Sequence, residues 1–152
     1  MSMFDALRIS ATGLTAERTR MDVASANLAN ADSTNGANGQ PYRRQEVVLQ
    51  SGSEATFAST LQNVGSMAPG VDTAGTGAGV RVAGIVNDPS PNRLVYDPTH
   101  PDANKQGYVS MPNVNPVIEM TDLIGASRAY EANTTAIETT KTMFTKLMDL
   151  LK

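Results

Sequence analysis

Apolar residues recur at regular intervals near both ends of the chain, and the long middle lacks such a pattern. The first series, spaced by seven residues, consists of Leu7, Leu14, Met21 and Leu28. We predict a helix over residues 3–30, because Ser2 can serve as N-cap and Asp5 adds a negative charge that suits the helix dipole. The turn-forming run at residues 30–36 ends this helix.

A second series predicts a longer helix over residues 116–151. Asn115 is the expected N-cap, and Pro116 then takes the first helical position. The residues of this series, again spaced by seven, are Leu123, Tyr130, Ile137, Phe144 and Leu151. Such a helix spans roughly 54 Å at 1.5 Å per residue. A sustained seven-residue period is typical of a left-handed coiled coil.

We expect the two helices to pair with each other. An apolar face on one side of a helix usually packs within its own domain, so a lone hairpin is one interpretation. Small residues on further faces allow additional helices to approach closely, and they favour a multi-helix assembly. These small residues are Ala11, Ala16, Ala24, Ala126, Ser127, Ala129, Ala132 and Thr134.

The middle region carries shorter, strand-like patterns. They lie at residues 42–49, 80–86, 94–96 and 108–109. Apolar residues in such short runs, bounded by Gly, Pro, Asn or Asp, are typical of strands. Residues 51–79 are rich in Gly, Ser, Ala and Thr, and this composition predicts a flexible loop.

The predicted fold is therefore mainly α. Long N- and C-terminal helices pair as a coiled-coil-like bundle, and a small β-rich central unit with a flexible loop connects them. We divide the chain into an N-terminal assembly helix (1–34), a β-rich middle region (35–114) and a C-terminal assembly helix (115–152).

The composition predicts a small core. Hydrophobic residues make up 40% of the 152 residues, but aromatic residues only 5%, and there is no Trp. Large apolar side chains dominate the energetics of a core, so this chain has little to bury by itself. We expect partners to complete the packing of the two helices.

Charge and cysteine content exclude several classes of function. The net charge of −3 and the absence of any basic cluster larger than Arg43 and Arg44 argue against a nucleic-acid partner. The chain has no Cys, which excludes disulfides, zinc–thiolate sites and thiol catalysis. No apolar run approaches the roughly 20 residues of a membrane span. The first residues also lack the basic start and apolar stretch of a cleaved secretory signal.

The single His100 is the strongest candidate for chemistry. It lies between Asp97 and Asp102 in a Pro-containing segment, and one interpretation is a metal-binding or hydrolytic module centred on these three residues. The favoured interpretation is a rigid turn whose Asp and Thr side chains bond nearby backbone amides. A second His or a Cys, which a transition-metal site usually needs, is absent.

The glycines at residues 75–79 do not form a phosphate-binding loop. Their spacing is G-x-G-x-G, and a strand-like run follows, whereas a dinucleotide fingerprint needs G-x-G-x-x-G before a helix. We predict no catalytic residue, no cofactor, no metal and no small-molecule substrate. The sequence is not that of an enzyme.

Several motifs resemble a known family. They are SATGLTA (10–16), ANLANADS (26–33), GQPYR (39–43), LVYDP (94–98), GYVSMPNVN (107–115) and ASRAYEAN (126–133). The N-terminal motifs are similar to those of the rod and hook axial proteins of the bacterial flagellum. The C-terminal motifs are similar to the FlgC-type proximal-rod members of that family. Residues 51–76 depart from the family pattern.

The resemblance implies a structural subunit of the proximal rod. Such a subunit is exported by the flagellar type III apparatus without signal cleavage and polymerises in the periplasm. Its implied partners are further copies of itself, other rod proteins, and the membrane-ring and rod-adaptor components of the basal body. The rod is a tubular shaft that transmits torque and encloses the export channel.

We expect the two heptad series to carry the subunit contacts. The predicted assembly interface consists of Leu7, Leu14, Met21, Leu28, Leu123, Tyr130, Ile137, Phe144 and Leu151. An adaptor that binds one partner helix and does not polymerise is a further alternative. The module around His100 is the other alternative, from a different functional class.

Overall fold

The computed structural model describes residues 3–36, 39–52 and 79–150. Its elements in chain order are α1 (Met3–Ala29), β1 (Gln45–Ser51), β2 (Val80–Asn87), β3 (Arg93–Tyr96), β4 (Tyr108–Met111) and α2 (Pro116–Leu150). Two long terminal helices with a small antiparallel β region between them confirm the predicted fold at this level. The predicted N-cap Ser2, the interface residue Leu151 and most of the predicted loop 51–79 lie outside the described residues.

The two helices pack side by side in opposite directions. At one end of the pair, the side chains of Asn27 and Glu119 are 2.9 Å apart. At the other end, the ring centroids of Phe4 and Phe144 are 6.4 Å apart. The 27 residues of α1 and the 35 residues of α2 correspond to about 40 Å and 52 Å. The last turn of α2 therefore extends past the first described residue of α1.

Gly13 lies between the two helices, near their middle. A Cβ atom at this position would come within 3.0 Å of the Asn133 side chain. Glycine lowers helix propensity by about 1 kcal/mol relative to alanine, and here it allows the two backbones to approach closely.

The N-terminus of α2 has the predicted cap. Asn115 Oδ1 accepts a hydrogen bond of 3.1 Å from the backbone amide of Val117, which satisfies a donor that has no partner within the helix. Pro116 takes the first helical position, where its missing N–H costs nothing. The cap fixes the start of α2 and thereby places Glu119 in its first turn.

The core consists of small side chains. Its buried apolar residues are Ala16, Val23, Ala24, Ala31, Val109, Val114 and Ala126. Among the described residues no Leu, Ile, Met or aromatic side chain is buried. Because burial stabilises by roughly 25 cal/mol per Å² of apolar surface, a core of Ala and Val contributes little for a chain of this length.

The most buried face of α1 does not coincide with its heptad series. That face is formed by Ala16, Val23, Ala24 and Asn27. At about 100° per residue, the centre of this face lies roughly a third of a turn from the line of Leu7, Leu14, Met21 and Leu28. The heptad residues of α1 lie on the flank of the helix pair and are partly exposed. A coiled-coil seam along the two series therefore stays a prediction.

The β region forms two separate two-stranded antiparallel sheets. In the first, β1 pairs with β2 from Gln45–Asn87 to Ser51–Val80, with a β-bulge after Val48. In the second, β3 pairs with β4, and the rings of Tyr96 and Tyr108 meet edge to face at 5.3 Å. The four predicted strands are confirmed.

The β1–β2 ribbon lies along α1. The backbone amide of Gln45, at the start of β1, donates to Asn27 Oδ1 at 2.9 Å. The backbone amide of Val80, at the start of β2, donates to Thr12 Oγ1 at 3.1 Å. These two bonds hold both ends of the ribbon against α1, which carries mostly small residues on this side.

Candidate assembly interface

A buried polar cluster joins α1, α2 and β1. Its centre is Asn27, which is 1% exposed. The Nδ2 atom of Asn27 donates to the backbone oxygen of Gln45 at 2.8 Å and to Glu119 Oε2 at 2.9 Å. Its Oδ1 atom accepts from the Gln45 amide and from the Tyr42 hydroxyl, each at 2.9 Å. Asn27 thus uses its full hydrogen-bonding capacity, as a buried amide should.

Glu119 carries a negative charge into this cluster, and Arg44 neutralises it. Glu119 is 2% exposed, and its Oε1 atom accepts from Arg44 Nε at 2.6 Å. Burial lowers the pKa of Arg44, but the hydrogen bonds and charges of Glu119 and Glu46 outweigh that effect, and the pKa is raised. Arg44 therefore stays charged, which a buried carboxylate requires of its partner.

Three further carboxylates surround the Arg44 guanidinium. Glu46 contacts Nη1 directly, and Asp88 Oδ2 lies 3.8 Å from the same nitrogen. Asp122 Oδ2 lies 3.5 Å from Nη2. Arg44 thus links β1, the turn after β2 and the first turns of α2. These acidic groups do not form a metal site, since no group of three or more His, Asp and Glu in the described part of the chain could hold a metal ion.

Tyr42, in the segment before β1, is the remaining member of the cluster. Its hydroxyl donates to Asn27 Oδ1. Burial raises the pKa of Tyr42, and the negative charge of Glu119 raises it further. The hydroxyl is therefore held in its neutral, donating form.

The residues around His100 form a turn. Asp97 Oδ1 accepts from the Thr99 hydroxyl at 2.7 Å and from the Thr99 amide at 3.0 Å. Both hydrogen bonds lower the pKa of Asp97, and the bond from the Thr99 hydroxyl has the larger effect. Asp102 donates its amide to His100 Nδ1 at 3.1 Å. The favoured turn interpretation accounts for these contacts, and the metal-binding or hydrolytic module has no support.

The same turn is tied to the segment that follows α1. Asp102 Oδ2 accepts a hydrogen bond of 2.7 Å from the Thr34 hydroxyl. The carboxylate of Asp102 thus serves a contact between two segments, and its Oδ2 atom also lies 3.9 Å from His100 Nδ1. In the described residues, no group of three or more His, Asp and Glu is arranged to hold a metal ion. The arrangement positions the β3–β4 hairpin relative to the helix pair.

Large apolar side chains lie on the surface, in contrast to the small ones in the core. One group lies where the start of α1 meets the end of α2, and its members are 46–71% exposed: Phe4, Met143, Phe144, Leu147 and Met148. A second group lies on β3 and β4: Leu94, Val95, Tyr96 and Tyr108, which are 38–66% exposed. Exposed apolar surface that is contiguous marks a contact with a partner.

None of the predicted interface residues in the described part of the chain is buried. Leu7, Leu14, Met21, Leu28, Leu123 and Ile137 are partly exposed. Tyr130 is 37% exposed and Phe144 46%, and Phe144 also meets Phe4 within the chain.

Within the described part of the chain, neither helix has the length and apolar character needed to cross a membrane.

The sequence shows Asn27 within the motif at residues 26–33 and Glu119 shortly after Pro116. It did not predict that they meet. Asn27 follows Val23 by four positions and so continues the line of small residues that becomes buried. A polar residue on such a line is a signal for a buried hydrogen-bonding partner.

The chain matches two family models. Residues 7–37 match a model described as "Flagella basal body rod protein", and residues 105–150 match one described as "Flagellar basal body rod FlgEFG protein C-terminal". The two matches cover most of α1 and all of α2, together with β4.

Curated proteins are similar to this chain over its full length. The flagellar basal-body rod protein FlgC of Bacillus subtilis is 49% identical, covering 100% of both chains. FlgC of Borreliella burgdorferi is 45% identical, covering 100% of this chain and 99% of the relative. FlgC of Escherichia coli O157:H7 is 41% identical, covering 99% and 98%.

Proposed function

The chain belongs to the FlgC family of flagellar basal-body rod proteins, and on that premise we propose how it serves as a subunit of the rod. It is a structural protein of the flagellar basal body and not an enzyme, and it assembles with other rod components.

One observation carries the proposal: the chain buries its small side chains and exposes its large ones. Leu147 and Phe144 on α2 are 50% and 46% exposed, although burying such a side chain fully contributes roughly 1.5–3 kcal/mol. Neighbouring subunits supply the missing burial. Assembly is then favoured because each contact removes apolar surface that the isolated chain cannot cover.

The terminal helices make these contacts. The N-terminal assembly helix (1–34) and the C-terminal assembly helix (115–152) pack against the helices of neighbouring subunits in coiled-coil fashion. The heptad residues form the seams, namely Leu7, Leu14, Met21, Leu28, Leu123, Tyr130, Ile137, Phe144 and Leu151. The middle region (35–114) faces outward from the resulting tube.

The subunit lies in the proximal rod, in the periplasm. It reaches that place through the flagellar type III export apparatus and meets the membrane-ring and rod-adaptor components there. The tube of helices transmits torque and encloses the export channel. The similarity to FlgC proteins over the whole chain supports this position.

The polar cluster of Asn27, Glu119 and Arg44 keeps the subunit rigid. It ties both assembly helices to the first strand of the middle region through hydrogen bonds of 2.6–2.9 Å. A shaft under torque requires that its outer part and its helical part turn together. Directional hydrogen bonds to charged groups resist sliding of these two parts past each other better than contacts between small apolar side chains do.

Electron cryomicroscopy of isolated basal bodies tests the proposal. We expect a ring or helical layer of several copies whose α1 and α2 line the wall of the tube. A single copy that binds one partner helix would instead identify a non-polymerising adaptor. Absence of the protein from basal bodies of motile cells would refute the proposal entirely.

A further inference from the structure

The segment that follows α1 contains an asparagine directly before a glycine, at Asn35 and Gly36. Both residues are exposed. Asparagine is among the thermally labile residues of proteins. Because glycine has no side chain, nothing beside the backbone nitrogen of Gly36 hinders its approach to the Asn35 side chain. Asn35 therefore meets two local requirements for loss of its side-chain ammonia.

The reaction at such a pair needs only water. The backbone nitrogen of Gly36 loses its proton and attacks the side-chain carbonyl carbon of Asn35. The C–N bond of the side-chain amide breaks, and ammonia leaves. Water then opens the resulting succinimide ring at either of its C–N bonds. The product is aspartate or isoaspartate, and each adds a negative charge to a residue that was neutral.

A turn of the folded chain occupies the attacking nitrogen. The Gly36 amide donates a hydrogen bond of 2.8 Å to the backbone oxygen of Gln40, and the Gly39 amide donates one of 2.9 Å to the backbone oxygen of Gly36. A hydrogen bond made by the neutral amide disfavours loss of the proton that the reaction requires. Gly39 has a φ of 67°, a left-handed conformation that glycine adopts readily and other residues do not.

We propose that Asn35 is a deamidation site, which the turn between Gly36 and Gln40 keeps unreactive and which reacts when this turn opens. Segments with exposed hydrogen bonds and few buried contacts open locally, without unfolding of the whole chain. The turn is such a segment, because Gly36, Gly39 and Gln40 are all exposed. The inference does not rest on the proposed function, and either can fail without the other.

The new charge lies beside a contact between two parts of the subunit. The hydroxyl of Thr34, the preceding residue, donates to Asp102 Oδ2 at 2.7 Å, and this bond ties the segment after α1 to the β3–β4 hairpin. A negative charge at residue 35 repels the Asp102 carboxylate. Isoaspartate also lengthens the main chain at this point. Deamidation therefore loosens the hairpin from the helix pair.

Peptide mapping by mass spectrometry tests the site in the purified full chain. The protein is incubated at mildly alkaline pH, folded or unfolded in urea, and the gain in mass at Asn35 is followed over time. We expect the folded chain to react about tenfold more slowly than the unfolded chain, because its turn is mostly closed. Asn35→Gln is the matched control. It keeps a side-chain amide but would have to form a larger ring, so it should gain no mass at this position.

The variant Gly39→Val tests the turn itself. A β-branched residue is strongly disfavoured in the left-handed conformation, and open space surrounds Gly39, so the substitution acts on the backbone alone. The variant also removes a second Asn-Gly pair, at residues 38–39, which simplifies the map. We expect Asn35 of the folded variant to approach the rate of the unfolded chain. If Gly39→Val does not fold, Gly39→Ala applies a milder strain at the same position.

Each outcome decides one part of the inference. Equal rates in the folded and unfolded chains would show that the fold does not protect Asn35. A slow folded chain that stays slow in the Gly39 variants would show that protection comes from elsewhere than the turn. An unfolded chain that gains no mass at Asn35 would refute the site.

The variant Asn35→Asp tests the consequence, since it carries the charge of one product. At low ionic strength we expect a lower melting temperature than for the unsubstituted chain. Asp102→Asn removes the opposing charge, and in that background the decrease should be about twofold smaller. An equal decrease in both backgrounds would contradict repulsion between the two positions.

Discussion

Asn27 on α1 donates a hydrogen bond of 2.9 Å to Glu119 on α2, and both side chains are almost completely buried. The two residues are separated by 92 positions in sequence. They meet because the antiparallel pairing of the helices brings the end of α1 to the start of α2. A polar contact thus joins the two helices beside a core of Ala and Val.

Removal of the Glu119 carboxylate should destabilise the fold. In Glu119→Ala, Asn27 loses an acceptor and Arg44 loses its most buried ion pair, and breaking a buried pair typically costs about 3–5 kcal/mol. We expect the lower end of that range, since other carboxylates remain near Arg44. The free energy of unfolding in urea measures the effect. Asp122→Ala is the control, because its ion pair is half exposed and should contribute no more than about 1 kcal/mol.

The Tyr42 hydroxyl should stabilise the protein below alkaline pH. Because its pKa is raised in the folded state, its contribution is complete below the ordinary tyrosine pKa of about 10 and is lost as the pH rises through the folded pKa. Tyr42→Phe should cost about 1 kcal/mol at pH 7. The difference between the two proteins should narrow only as the pH rises above about 10. A difference that stays constant would contradict the role of the hydroxyl.

Gly13 should tolerate alanine better than any larger residue. A Cβ atom would meet the Asn133 side chain at 3.0 Å, but that side chain ends in a flexible amide, and alanine gains about 1 kcal/mol of helix propensity. Gly13→Ala should therefore be nearly neutral. Gly13→Val should destabilise by about 1–3 kcal/mol, because it forces the helices apart. Thermal unfolding of both variants measures this, and equal effects would show that no close approach exists.

A charge in the predicted seams should prevent rod formation. Ile137→Asp or Leu123→Asp would bury an unpaired carboxylate in the assembled tube. We expect loss of motility in soft agar and loss of rods from basal-body preparations. Thr139→Asp, on the polar side of α2, should leave both intact. Normal motility of the Ile137 and Leu123 variants would show that the seams lie elsewhere.

The elements of the fold could be predicted from local sequence. The cap formed by Asn115 and Pro116 marks the start of α2 because it acts within one turn of the chain. The strands follow from short apolar runs that are bounded by turn residues, whereas their pairing was not predicted. The polar cluster could not be predicted, because Tyr42, Arg44 and Glu119 acquire their partners only when distant segments pack together.

The sequence by itself determined that the chain has two long helices, a small β region and little to bury. Its periodicity, its composition and its motifs carry that information locally. Only the tertiary structure decided which face of α1 is buried. The heptad series indicated the line of Leu14 and Met21, whereas the helices meet along Ala16, Val23 and Asn27. The physical reason is that close packing selects small side chains and one saturated polar contact, and leaves the large apolar residues of the described chain at least partly exposed.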